Sequence, residues 1–147
     1  MKIIAPIRLL AFLILVSVII PLNAQVLDVI ITDIRNTDGR LCIAIFDNNL
    51  DYQNETALLT AYIDKETLLS DTAHIEIPIW PGTFGISVLD DEDGDEKMRF
   101  SFWGIPREGF GFSNYVLKSS RRPQFDDFSF SVNENEKVAV SVKMKYF

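Results

Sequence analysis

From residue 26 onward, outside one long connection, apolar and polar positions alternate with period two, the mark of strands with one buried face. Val138, Val140, Val142, Met144 and Tyr146 share one side, and Lys137, Ala139, Ser141, Lys143 and Lys145 share the other. Phe128, Phe130 and Val132 alternate with Asp127, Ser129 and Ser131, and the polar stretch Asn133-Glu134-Asn135-Glu136 predicts a hairpin between these two runs. Val26 to Ile34 and Leu41 to Phe46 flank Asn36-Thr37-Asp38-Gly39, where Asp-Gly suits the positive φ of a tight hairpin turn. Ile75, Ile77 and Ile79 lead through Trp80-Pro81-Gly82 to Phe84, Ile86 and Val88, which predicts a third hairpin. Within Glu55 to Ser70, one helical turn followed by a seventh strand near Ala61 to Asp64 is expected. The fold class is therefore all-β, an antiparallel β-sandwich of about seven strands, Ig-like or transthyretin-like.

The N-terminus breaks this pattern. Lys2 and Arg8 precede the apolar run Leu9 to Ile20, and Ala24 offers a small residue for cleavage. These are the parts of a secretory signal peptide, and the run is shorter than the roughly 20 residues a spanning helix needs. Residues 1–24 are thus expected to be the signal and 25–147 one β-sandwich domain, secreted or periplasmic, with no membrane span after cleavage. An uncleaved N-terminal anchor is the alternative.

Charge sharpens the picture. The full chain of 147 residues has 14 basic and 21 acidic side chains, a net of -7. Removing Lys2 and Arg8 with the signal leaves 12 against 21, a net of -9. Nucleic acid is an unsuitable partner for such a surface. A single Cys forms no internal disulfide, and with a single His it leaves little for a zinc site.

Between Leu89 and about Lys118 the alternation fails, and a connection this long in a β domain either binds something or packs as an ordered flap. Six of the seven residues from Asp90 to Glu96 are acidic. Asp91, Asp93 and Asp95 are spaced to converge on one hard cation, with Ca2+ as the candidate metal, and a solvated acidic turn is the alternative. Phe100 to Asn114 follows, with three Gly and one Pro that argue against a regular strand. Its aromatics, Trp103, Phe110 and Phe112 above all, either stack on a ligand such as a sugar ring or cap one end of the core. Gly104, Pro106, Glu108, Gly109, Gly111, Ser113 and Asn114 are the expected loop-structural residues.

These residues resemble DUF2141, a family of small secreted bacterial proteins. Its pattern runs His-Asp-x-Asn-x-Asn-Gly-Lys-Leu-Asp, then Gly-Ile-Pro-x-Glu-Gly-Tyr-Gly-Phe-Ser-Asn. Here Asp91, Asp93, Asp95 and Lys97 answer the first part, and Gly104-Ile105-Pro106 with Glu108 to Asn114 answer the second. Pro81-Gly82-Thr83-Phe84 and Phe125-Asp126-Asp127 are similar to two further family signatures. Three positions depart from it: Asp90 for His, Glu96 for Gly and Arg99 for Asp. The resemblance implies a secreted or periplasmic β-sandwich, raises the prospect of an ordered cation-binding loop, and implies no reaction.

Catalytic candidates are few. His74 alternates with Ile75 and Ile77, which places it on the exposed face beside Glu76, and Cys42 within Leu41 to Ile45 reads as a small buried thiol. A carboxylate pair such as Asp91 and Glu108 is the candidate for glycoside chemistry. The expected function is a non-catalytic exported binding or structural module, with a glycan or an envelope protein as candidate partner. Carbohydrate binding through the loop aromatics is the alternative, and a glycan-active hydrolase the third.

Overall fold

The computed structural model describes residues 25–147, and the signal-peptide expectation for residues 1–24 lies outside them. The strands are β1 (Gln25–Thr32), β2 (Arg40–Phe46), β3 (Leu59–Asp64), β4 (Ala73–Ile79), β5 (Gly82–Asp91), β6 (Phe110–Phe112), β7 (Phe130–Val132) and β8 (Lys137–Lys143). Two short helices, α1 (Asn49–Gln53) and α2 (Phe125–Phe128), and a 3-10 turn at Lys65–Thr67 complete it. One sheet runs β4-β1-β8; the other runs β3-β2-β5-β6, with β7 also paired to β5. Among the described residues, eight strands form the two facing sheets of a sandwich. No helix among the described residues is long and apolar enough to cross a membrane.

The strands fall where period two puts them, but the three expected hairpins do not form. β1 and β2 belong to different sheets, as do β4 and β5, and β7 and β8. Each tight turn is an arch that carries the chain from one sheet to the facing one. Alternation fixes which side chains go inward, and an arch satisfies it as well as a hairpin does. β8 instead pairs with β1 in parallel, Val29 opposite Val140. The helical turn expected after Glu55 comes earlier, as α1, where the Asn48 side chain caps the backbone N–H of Asp51. The seventh strand is present as β3. The eighth, β6, lies in the stretch whose glycines argued against a strand.

Between the sheets, Leu27, Val29, Ile31, Leu41, Ile43, Ile45, Ile86, Val88, Val140 and Val142 form the main core. A second cluster sits at one end of the five-stranded sheet: Phe46, Tyr52, Phe112, Leu117, Phe125 and Phe128. Tyr52 is its hub, edge-on to Phe46 and Phe128, and its buried hydroxyl donates to the Pro123 carbonyl at 3.0 Å. That bond spares a buried phenol its desolvation cost.

The Gly109–Asn114 segment sews the two sheets together. On one side Leu89, Val88 and Ser87 of β5 pair with Phe110, Gly111 and Phe112. On the other, Phe110 exchanges backbone hydrogen bonds with Lys145, and the Asn114 N–H donates to the Ser141 carbonyl at 2.7 Å. Glycine is required here by space. A Cβ on Gly111 would lie 2.7 Å from Val142 Cγ1 and 2.8 Å from the Lys143 carbonyl oxygen. Buried Ser113 closes the seam, its Oγ donating to the Phe128 carbonyl at 2.6 Å and accepting from the Ile86 N–H at 2.9 Å.

Candidate functional site

The outward positions of the central strands are not the charged residues expected of a solvated face. β2 presents Cys42 and Ala44, and β5 presents Ser87 and Leu89. Register aligns them in two rows across the sheet. Tyr62, Cys42, Leu89 and Phe110 form one, and Thr60, Ala44, Ser87 and Phe112 the other. Small residues fill the middle while aromatic rings stand at the flanks, so the face is concave. The result is an open groove of about 640 Å³, within the range of small-ligand sites. One wall is the flap after the acidic run, through Met98, Phe100 and Pro106; the other carries Tyr52, Ala57 and Arg122.

The floor offers little polar chemistry. Ser87 and Thr60 supply hydroxyls, and the Cys42 thiol already contacts Asp91 Oδ2 at 3.6 Å. Cys42 is half-buried and faces this groove, not the core expected for it. Burial, with the Asp91 carboxylate beside it, pushes its pKa up to about 12, leaving too little thiolate at neutral pH for a nucleophile. In the wall, Arg122 is engaged, ion-paired to Glu55 at 2.9 Å and stacked on the Tyr52 ring.

The acidic run lies at the end of β5 and is largely compensated from within. Asp90 is fully buried against fully buried Lys65, and its other oxygen accepts from the Tyr146 hydroxyl at 2.6 Å. Lys65 also donates to Asn36 Oδ1 at 2.7 Å. Asn36 in turn donates to Glu92, which holds Arg35 in a two-point pair at 2.7 Å. Arg35 stacks on Tyr146, whose phenol is pushed up by burial and then by Asp90. Asp91 pairs with Arg40 at 3.2 Å, Asp93 with Arg99 at 2.8 Å and Glu96 with Arg40 at 2.7 Å. Among the described residues, only Asp95 of the six acids has no cationic partner within ion-pair distance.

Asp91 organises the loop. Its Oδ1 accepts from the N–H groups of Gly94 and Asp95 at 2.9 and 3.0 Å, and its Oδ2 from Glu96 at 3.3 Å. Burial raises its pKa, but Arg40 and these N–H groups outweigh that and leave it lowered. Buried Glu108 clamps the loop's two limbs, accepting from the backbone N–H of Glu92 and of Arg99, both at 3.2 Å. Burial raises the Glu108 pKa.

The candidate residues from the sequence thus separate. Asp91, Asp93 and Asp95 do come together, each with a carboxylate oxygen within 4.8 Å of the others. Asp91 and Glu108 spend their oxygens on loop backbone, and neither lines the groove, so they do not flank a cleft as a glycosidase pair. Trp103, Phe110 and Phe112 form no common row. Phe110 and Phe112 edge the groove, with Phe112 only 5% exposed, while Trp103 stands apart on the flap at 82%. Gly104 takes φ +73 at the flap's turn, and Gly109 leaves room for the Tyr146 ring. Pro106 is buried beside the groove and bridges to Phe100. His74 is exposed and paired with Asp28.

Lys65 and the groove were not anticipated, though signals for both exist. Asp90 continues the inward series Phe84, Ile86 and Val88, and an acid there requires a buried partner. Cys42, Ala44 and Leu89 at outward positions indicate a sheet covered on both faces. A family model described as "Uncharacterized protein conserved in bacteria (DUF2141)" matches residues 29–140. Comparisons with curated proteins and with solved structures gave no match.

Proposed function

Since the chain belongs to the DUF2141 family, whose description assigns no reaction, we propose its role from the geometry. It is an exported, non-catalytic β-sandwich module of the periplasm or cell surface that holds an apolar ligand in the groove on its five-stranded sheet. The observation that carries this is the concave outer face itself, floored by Ala44, Leu89 and Cys42 where a solvated sheet would place charges. An apolar chain or ring gains by covering such a floor. A sugar fits the floor less well, because its hydroxyls would meet only Ser87 and Thr60 there. The signal-like composition of residues 1–24 supports the export part of this reading.

The test is binding of an apolar fluorescent probe, such as an anilinonaphthalene sulfonate, to the folded 25–147 segment. Ala44→Phe fills the groove between Thr60 and Ser87 and is expected to weaken binding at least tenfold with the fold intact. Probe binding that Ala44→Phe leaves unchanged rejects the groove, and a strong glycan-array signal in its place restores the carbohydrate alternative.

Calcium binding by the acidic loop is a second reading, favoured by the convergence of Asp91, Asp93 and Asp95. Arg99 already occupies Asp93, so a bound cation has to displace a guanidinium, and the affinity is expected to be millimolar, the weak end for calcium sites. At tenfold excess over Kd, calcium stabilises by about 1.4 kcal/mol, which thermal unfolding reads as a rise of several degrees. Arg99→Gln is expected to enlarge the shift and Asp93→Ala to abolish it; no shift in either protein or variant removes the site.

A further inference from the structure

The flap between the acidic loop and the sheet seam ends in a tight tip. Arg107 N–H bonds to the Arg99 carbonyl at 2.8 Å, Ser101 N–H to Ile105 at 2.8 Å and Gly104 N–H to Ser101 at 2.9 Å. Gly104, at φ +73, completes the turn. This ordered frame holds Phe102 and Trp103 at its apex, 93% and 82% exposed, with their ring centroids 5.3 Å apart. Phe100 and Ile105 below them are 58% and 46% exposed. Two adjacent large rings displayed on a hydrogen-bonded support constitute an exposed apolar patch that water does not favour.

We propose that this tip inserts into the interfacial zone of an anionic lipid bilayer. Size and shape argue for a membrane. The two rings offer on the order of 300–500 Å², below the roughly 800 Å² per partner that a stable protein interface buries. A bilayer interface needs no complementary surface, and Trp and Phe are residues that settle there. Local charge at the tip, opposite in sign to the net -9 of residues 25–147, argues for anionic lipid. Lys97 and Arg107 stand at the base of the flap with no ion-pair partner among the described residues, and Arg99 lies between them in sequence. Residues 97–107 contain no acid, and five of the six acids just before them are paired internally. Phe102, Trp103 and Arg107 lie outside the groove, whereas Lys97 and Phe100 also line it, so the Phe102 and Trp103 variants separate the tip from the groove.

The test uses the 25–147 segment, because it contains every described strand of the sandwich and lacks the apolar run of residues 9–20. The chain has two tryptophans, so Trp80→Phe makes Trp103 the sole emitter. Vesicles of phosphatidylethanolamine with phosphatidylglycerol are expected to shift its emission to the blue and to carry the unsubstituted segment down in sedimentation. Phe102→Ser and Trp103→Ser are each expected to weaken partitioning at least tenfold without altering thermal unfolding, and Lys97→Glu with Arg107→Glu to do the same. An unshifted Trp103 emission with no co-sedimentation overturns the proposal. Partitioning that Phe102→Ser leaves unchanged, or that is equal on uncharged phosphatidylcholine vesicles, overturns it as well.

Discussion

Lys65→Met is expected to destabilise the sandwich by about 3–5 kcal/mol, the usual result of removing one partner from a buried ion pair. Lys65 and Asp90 are both fully excluded from solvent, so the substitution leaves a carboxylate in a low-dielectric site. Tyr146 is its remaining donor, and one hydroxyl does not replace an ammonium. Urea unfolding should show a lower midpoint at unchanged slope, with Tm falling by roughly 10–20 °C. The variant Lys65→Met with Asp90→Leu is expected to regain most of the loss, because matched apolar groups carry no charge to desolvate. A loss below 1 kcal/mol in the single variant would mean that the pair is solvated in solution.

Gly111→Ala carries the second large effect, about 2–3 kcal/mol, at the upper part of the range for overpacking a tight site. The added methyl meets the Lys143 carbonyl and Val142, so relief requires parting β6 from the last strand. Gly104→Ala gives the comparison. Its φ is left-handed, at +73, where that of Gly111 is not, and nothing lies within 4 Å of the added carbon among the described residues, so conformational strain of about 1 kcal/mol without a clash is expected. Equal costs at the two glycines would show that the seam between the sheets does not constrain Gly111.

These two sites show how far the sequence could be read. Period two in Val138 to Tyr146 and in Phe84 to Val88 put the inward faces where the sandwich has them. Pairing was not legible, because Asp38-Gly39, Pro81-Gly82 and Asn133 to Glu136 serve arches between sheets as readily as hairpins within one. The glycines of the Glu108 to Asn114 block looked like strand breakers. Their role is to admit Tyr146 and the β8 backbone, and such close approach depends on distant residues that local pattern does not name. Lys65 sits between Asp64 and Glu66 and carries no local sign of burial; only the acid at inward position 90 hints at it. The acidic run, which reads in sequence as either a cation site or a solvated turn, recruits Lys65, Arg40, Arg35 and Arg99 from positions up to 57 residues away in the chain. The family block therefore marks a seam and a loop clamp, and the groove beside it depends on small residues that no motif records.

The most direct test of the central claim is a map of backbone amide shifts in the 25–147 segment as an apolar ligand is titrated in. The groove account expects shifts concentrated at Cys42, Ala44, Thr60, Tyr62, Ser87, Leu89 and Phe110, with Asp28, Ile30 and Ser141 on the outer face of the other sheet unmoved. Shifts that spare β2 and β5, or that spread evenly over both outer faces, would contradict it.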